Sequence, residues 1–167
     1  MKNLLWAILA LCSVCLFTAC GDDEEDDGQP IGCQAATLSG MIDSETFNLG
    51  SGRAIIDNSG EVSIRLYDER ETFEDPCLAN DEFVNVFGTL PNAEVGRTEL
   101  FLDLAAGEGQ TLTFFNPDGF QNIIAADGFI EFTAVTATTI EGFMDIDDGT
   151  GNPEDFLCGS FTLNICQ

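Results

Sequence analysis

Apolar and polar residues alternate with a period of two along most of the chain. The pattern is sharp in Val62-Ser63-Ile64-Arg65-Leu66-Tyr67 and in Phe161-Thr162-Leu163-Asn164-Ile165, and looser in Leu100–Leu104 and Ile140–Ile146. In a strand, successive side chains point to opposite faces, so such alternation describes half-buried antiparallel strands. No window carries a capped 3.6-residue period. The punctuation agrees. Asp57-Asn58-Ser59-Gly60 separates two apolar runs. Asn116-Pro117-Asp118-Gly119 joins Thr111–Phe115 to a run over 120–125 as a hairpin: Pro presets φ, Asp bonds back to the chain, and Gly accepts positive φ. Further turns fall at Ala106–Gly109, Ala126–Gly128 and Thr136–Thr139. The expected strands are 36–43, 46–56 (broken near Gly50–Gly52), 61–67, 82–90, 97–104, 111–115, 120–125, 128–135, 139–147 and 159–166. Nine or ten strands at this spacing make an all-β fold: an antiparallel β-sandwich, with a closed β-barrel as the alternative.

The first thirty residues differ in texture. Lys2 precedes an apolar run, Leu4–Phe17, with the length of a secretory signal and too short to span a bilayer. Ala19 is the small residue that suits cleavage, and Cys20 follows it. Cys12 and Cys15 follow Leu11 and Val14, which are too bulky. Leu16-Phe17-Thr18-Ala19-Cys20 resembles the lipobox of bacterial lipoproteins, with Phe17 where Leu is usual. Gly21 and the acids Asp22–Asp27 resemble the export signal of surface lipoproteins of Bacteroidota. The remainder resembles the small β-rich lipoproteins of that phylum in texture. The resemblance implies acyl chains on Cys20, attachment to the outer membrane and exposure at the cell surface, with its periplasmic face as the alternative. It divides the chain into a signal peptide (1–19), a lipidated acidic tether (20–32) and one all-β domain (33–167). Like charges in the tether repel and keep it extended.

After cleavage at Cys20 the chain holds four arginines, no lysine and no histidine against thirty acids, a formal charge of −26. Phosphate binding needs Lys and Arg, so a nucleic-acid partner is excluded. Without His, the commonest general base and His-based triads are gone. The expected partners are the membrane, through the acyl chains, and an envelope protein or glycan.

Four cysteines remain beyond Cys20, an even count that predicts two disulfides in an exported domain. If 159–165 is a straight strand, Cys158 and Cys166 lie too far apart to bridge each other. Of the two pairings that remain, Cys33–Cys166 with Cys77–Cys158 is expected over Cys33–Cys158 with Cys77–Cys166. The first follows if the first and last strands are antiparallel neighbours, which sets the start of one beside the end of the other.

Two acidic loops carry the candidate chemistry. Asp145, Asp147, Asp148, Asn152, Glu154 and Asp155 have the D-x-D opening and Gly-rich middle of a calcium loop, although Gly149 falls one place early for an EF-hand. A Cys77–Cys158 bridge would add Glu74 and Asp75 and gather a calcium site. Paired carboxylates also allow a glycoside hydrolase or other carboxylate-dependent hydrolase. No Ser-His, Cys-His or G-x-S-x-G arrangement exists. The reading is therefore a non-catalytic, surface-anchored β module that binds or scaffolds an extracellular ligand or partner, with the hydrolase as its alternative.

Overall fold

The computed structural model describes residues 36–71, 73–79, 82–119, 122–151 and 154–167. Period-two alternation becomes twelve strands: β1 (Ser39–Ile42), β2 (Glu45–Ile56), β3 (Val62–Asp68), β4 (Asn85–Leu90), β5 (Gly96–Glu99), β6 (Phe101–Asp103), β7 (Glu108–Gln110), β8 (Leu112–Phe115), β9 (Asn122–Ala125), β10 (Asp127–Val135), β11 (Thr139–Asp147) and β12 (Phe156–Cys166). One short 3-10 turn, Pro76–Leu78, is capped by Asp75, whose Oδ1 accepts the Cys77 N–H at 2.9 Å. All twelve strands belong to one folded unit.

The all-β antiparallel expectation holds, and the strand assembly is more specific than a sandwich of two separate sheets. Ten strands form one continuous, strongly curled sheet in the order β5-β10-β11-β12-β1-β2-β3-β4-β8-β9, and β6 and β7 form a separate ribbon. The connectivity explains the curl. β9 is one edge of the sheet and β10 lies next to the other edge, yet only Ala126 separates them in sequence. Two peptide steps span at most about 7 Å. The two ends of the sheet must therefore meet at that corner, which only a rolled sheet allows. The stretch from Gly96 to Phe115 spans the same seam. Its tip pairs β6 with β7, while its arms part, β5 to β10 and β8 to β4 and β9.

The inner face of the roll carries the core. Leu38, Phe47, Leu66, Val86, Phe114, Ile130, Met144 and Leu163 are buried in one apolar cluster. Fully burying a side chain of this kind is worth roughly 1.5–3 kcal/mol. Alternation along β12 shows the economy of the arrangement: Leu157, Phe161 and Leu163 are buried, and Ser160, Thr162 and Asn164 are exposed.

Local details depart from expectation where side-chain pattern and backbone compete. β2 does not break near Gly50–Gly52; it runs on through a bulge between Leu49 and Ser51 in its pairing with β3. The expected strand 97–104 is interrupted at Leu100, and part of the expected turn 106–109 is β7. The Asn116–Gly119 hairpin forms as read, with Leu112 opposite Ala125 and Phe115 opposite Asn122.

β12 makes the least local pairing. Its first residues pair antiparallel with β1, Ser39 facing Cys158 and Met41 facing Phe156. Its last residues slide past β1 and pair parallel with β2, Asn164 facing Arg53 and Cys166 facing Ile55. This offset corrects the expected disulfides. Cys77 bonds Cys166, with Cα atoms 5.6 Å apart, so neither Cys33–Cys166 nor Cys77–Cys158 forms. A Cys33–Cys166 bond would need the first and last strands to be flush. β1 has four residues and β12 eleven, so the end of β12 lies beside β2 instead. Cys33 falls outside the described residues.

Candidate ligand-binding face

Opposed residues in a sheet share a face, so register shows which side chains gather outside the roll. On β2 and β3 the outer residues include Arg53 and Ile55, facing Arg65 and Ser63. Ser63 and Arg65 in turn face Thr89 and Phe87 of β4, and Phe87 faces Thr113 of β8. One row thus runs Arg53–Arg65–Phe87–Thr113 and ends on Ile124 of β9. No strand position named in this face is a carboxylate, in a chain that carries thirty.

The other half of the outer surface is the reverse. Asp127, Glu131, Glu141, Asp145 and Asp147 project from β10 and β11, and Glu99 from β5. Arg97 is the cation among them. It pairs with Glu99 and lies 3.5 Å over the Phe129 ring. The outward carboxylates of β5, β10 and β11 thus gather on one side of the sheet.

Arg53 and Arg65 are direct cross-strand partners, which in a β-ladder is a repulsive arrangement for like charges. Local contacts set their positions. Arg53 Nη1 donates to the carbonyls of Cys77 and Ala79, at 3.2 and 3.0 Å. Its guanidinium lies 6.0 Å from the Tyr67 ring centre, and that of Arg65 lies 4.7 Å from the Phe87 ring. Such cation–ring contacts are worth about 0.5–2 kcal/mol depending on exposure. Between them lies a groove of about 180 Å³ lined by Arg53, Arg65, Ser63, Phe87 and Thr89. The Ser63 and Thr89 hydroxyls are 3.3 Å apart across it.

A strap borders the groove. The segment after β3 packs Phe73 on Tyr67 at 4.9 Å and on Phe83 at 5.4 Å, so Tyr67 is buried although it points outward. The Cys77–Cys166 bond fastens this strap to the end of β12. The strap carries Glu74, Asp75 and Glu82, all exposed, at the edge of the arginine face.

A second depression, about 460 Å³, opens where β12 passes from β1 to β2. Thr37, Ser51, Thr133, Glu141, Ser160 and Thr162 line it. The Ser51 Oγ is buried there with no hydrogen-bond partner.

Among the described residues, Glu74 and Asp75 are not brought beside Glu154 and Asp155. The premise of the calcium site was a Cys77–Cys158 bridge, and Cys77 is instead fixed to the far end of β12. Eleven strand residues span roughly 35 Å, so Glu74 and Asp75 belong to one end of β12, and Glu154 and Asp155 to the other. Among the described residues, no three His, Cys, Asp or Glu side chains come together as metal ligands. Asn152 lies outside the described residues. The D-x-D-D-G spelling has a backbone role in this hairpin. Asp147 Oδ1 accepts the Gly149 N–H at 2.7 Å, and Asp148 Oδ1 accepts the Thr150 N–H at 2.9 Å and its hydroxyl at 2.7 Å. These are the side-chain-to-backbone bonds by which Asp builds turns. Asp145 and Asp147 stand on the outer face of β11. Burial pushes the Asp145 carboxyl above its ordinary value, and the nearby Asp147 adds to this.

Asp155 is buried beside the Asp43–Ser44 turn, and its Oδ1 accepts the Asp43 N–H. Burial raises its pKa above 3.8, the Asp43 N–H opposes, and the charges of Asp148, Asp43 and Glu154 raise it further. The folded carboxyl thus holds its proton to higher pH than the unfolded one. Its contribution to stability is lost as pH rises above the ordinary carboxylate value. Asp155→Asn keeps an acceptor for Asp43 and removes the charge. We expect the variant to melt higher than wild type at pH 7 and to match it at pH 3. Thermal melts across that range check this, and a lower melting temperature at pH 7 would contradict it.

The arginine face was not singled out in the sequence, although a signal was present: with the Asp57–Gly60 turn at the hairpin bend, strand parity sets Arg53 opposite Arg65. No family model, no curated protein and no solved structure matches the chain.

Proposed function

We propose that this protein is a non-catalytic, surface-anchored β module that binds an extracellular ligand or partner through the outer face of β2, β3, β4 and β8. One observation carries the reading: two of the four arginines beyond Lys2 stand side by side on a strand face without carboxylates, in a chain of formal charge −25. One of the two stands over the Phe87 ring and the other over the Tyr67 ring, on rigid strands beside a groove. The curled sheet suits the role, because its two halves face each other across one core as the walls of a sandwich do. Rigid strands hold recognition side chains more firmly than loops. The lipobox-like segment ending in Cys20 supplies the anchor, and the acidic run after it the spacer and export signal.

Two measurements test the proposal. Labelled palmitate should enter the wild-type chain in its native host and fail to enter Cys20→Ala, which should remain unprocessed or soluble. Absence of label in wild type would remove the anchor. The purified protein should also leave polysaccharides uncut while retaining some on an affinity column. Release of oligosaccharides would favour the carboxylate hydrolase instead.

A further inference from the structure

We infer that the depression between β12 and β2 binds one unit of an uncharged saccharide. It is a second site, beside the face of β2, β3, β4 and β8, and shares none of the side chains named there.

Backbone pairing makes the depression. Leu38 is held on both sides: its N–H donates to the Ser160 carbonyl, and its carbonyl accepts the Leu49 N–H. Further along, β12 and β2 pair directly only from Asn164 and Arg53 onward. Residues 161–163 and 50–52 lie between these two junctions. The sheet parts there and leaves an open space of about 460 Å³, within the usual range of small-ligand sites.

Polarity sets the ligand. Five hydroxyls line the space, those of Thr37, Ser51, Thr133, Ser160 and Thr162, with the single carboxylate of Glu141 and no cation among the described residues. Register gathers them: Glu141 faces Thr162 across β11 and β12, and the Thr133 hydroxyl donates to the Glu141 carbonyl at 3.2 Å. The Ser160 hydroxyl donates to the Ala36 carbonyl at 3.0 Å. With those protons committed to the backbone, Thr133 and Ser160 offer lone pairs, and the Glu141 carboxylate only accepts. Ser51 is the reverse case. Its Oγ is buried without a hydrogen-bond partner, so it still has a proton to give. Leaving a buried hydroxyl unpaired is costly, and a ligand that pairs it gains by doing so.

Sugar hydroxyls both donate and accept, which this mixture of acceptors and one open donor serves. Leu49 and Phe161 add apolar surface for the C–H groups of a ring. An anionic sugar would meet Glu141 with no cation to offset it. An amine would find one carboxylate among five hydroxyls, in a chain that has thirty carboxylates to gather. The open side lets a saccharide chain continue beyond the bound unit.

The full-length protein, in a detergent without a sugar headgroup, is titrated in a calorimeter at fixed ionic strength. The probes are neutral trisaccharides of gluco, galacto and manno configuration, a uronic-acid trisaccharide and 1,4-diaminobutane. We expect at least one neutral trisaccharide to bind more tightly than either charged probe. Glu141→Gln should weaken that binding by about 10-fold, the usual loss of a hydrogen bond to a charged group. Ser51→Ala should weaken it by about 3-fold or more without lowering the melting temperature, because the native Oγ has no protein partner to lose. Glu108→Gln, an equal charge change on β7, should leave binding unchanged. Equal or tighter binding of the uronic acid or the diamine would overturn the uncharged class. Binding that survives Ser51→Ala and Glu141→Gln but is lost in Arg65→Gln would overturn this site and leave the face of β2, β3, β4 and β8 standing. No heat from any neutral trisaccharide at millimolar concentration would mean that water alone fills the depression, and overturns the inference.

Discussion

Replacing Cys77 and Cys166 together by serine should destabilise the domain by about 4–5 kcal/mol, the chain-entropy value for a loop of this length. The bond joins residues 89 apart in sequence, and so constrains much of the unfolded chain. It also pins the strap to β12, where Arg53 reaches the Cys77 carbonyl. Chemical denaturation of wild type and the double variant, both oxidised, measures the difference. A shift under 1 kcal/mol would mean that the bond contributes little. The same material settles the second pair. With Cys166 taken, the even count leaves Cys33 for Cys158, and a non-reducing peptide map should return Cys77–Cys166 and Cys33–Cys158. A map with Cys77 joined to Cys158 would contradict the register of β12 against β2.

Gly159→Ala should be similarly damaging, by at least about 3 kcal/mol. Gly159 has φ +138°, which L side chains rarely adopt, and a Cβ there would lie 2.7 Å from the Leu38 Cα and 2.9 Å from the Ala36 carbonyl oxygen. Those are backbone atoms that bond directly to β12: the Leu38 N–H donates to the Ser160 carbonyl, and the Ser160 N–H to that of Ala36. Neither can give way without opening the junction of β12 with β1. Backbone strain of this kind costs of order 1–3 kcal/mol before the clash is counted. Gly60→Ala is the control. Its φ is +90°, but nothing lies within 4 Å of the added methyl, so it should cost about 1–2 kcal/mol. Equal losses at the two positions would show that backbone conformation, rather than close approach, decides the outcome.

The two candidate sites differ in how far the sequence reveals them. Residues 145–155 spell a metal loop because Asp and Gly serve turn building as well as cation binding. Here the carboxylates bond to the backbone of their own hairpin. Composition does not separate these uses; the placement of the second loop does, and that placement depends on the disulfide partner of Cys77. The Arg53–Arg65 pair is the opposite case. It follows from strand parity and a turn, both local, and is written in the sequence although it was not among the expected sites.

By itself the sequence determined that the protein is built from antiparallel strands, which faces of those strands are apolar, and where neighbouring strands turn back. These follow from period-two alternation and from Gly, Pro, Asn and Asp chemistry, which act within a few residues. Tertiary structure alone decided that ten strands join one rolled sheet, that β12 divides its pairing between β1 and β2, and hence that Cys166 meets Cys77. Any of several strand orders would bury the same alternating faces. The choice among them rests on pairings between residues about 120 positions apart, such as Ser39 with Cys158, whose energy comes from the whole packed core rather than from either segment.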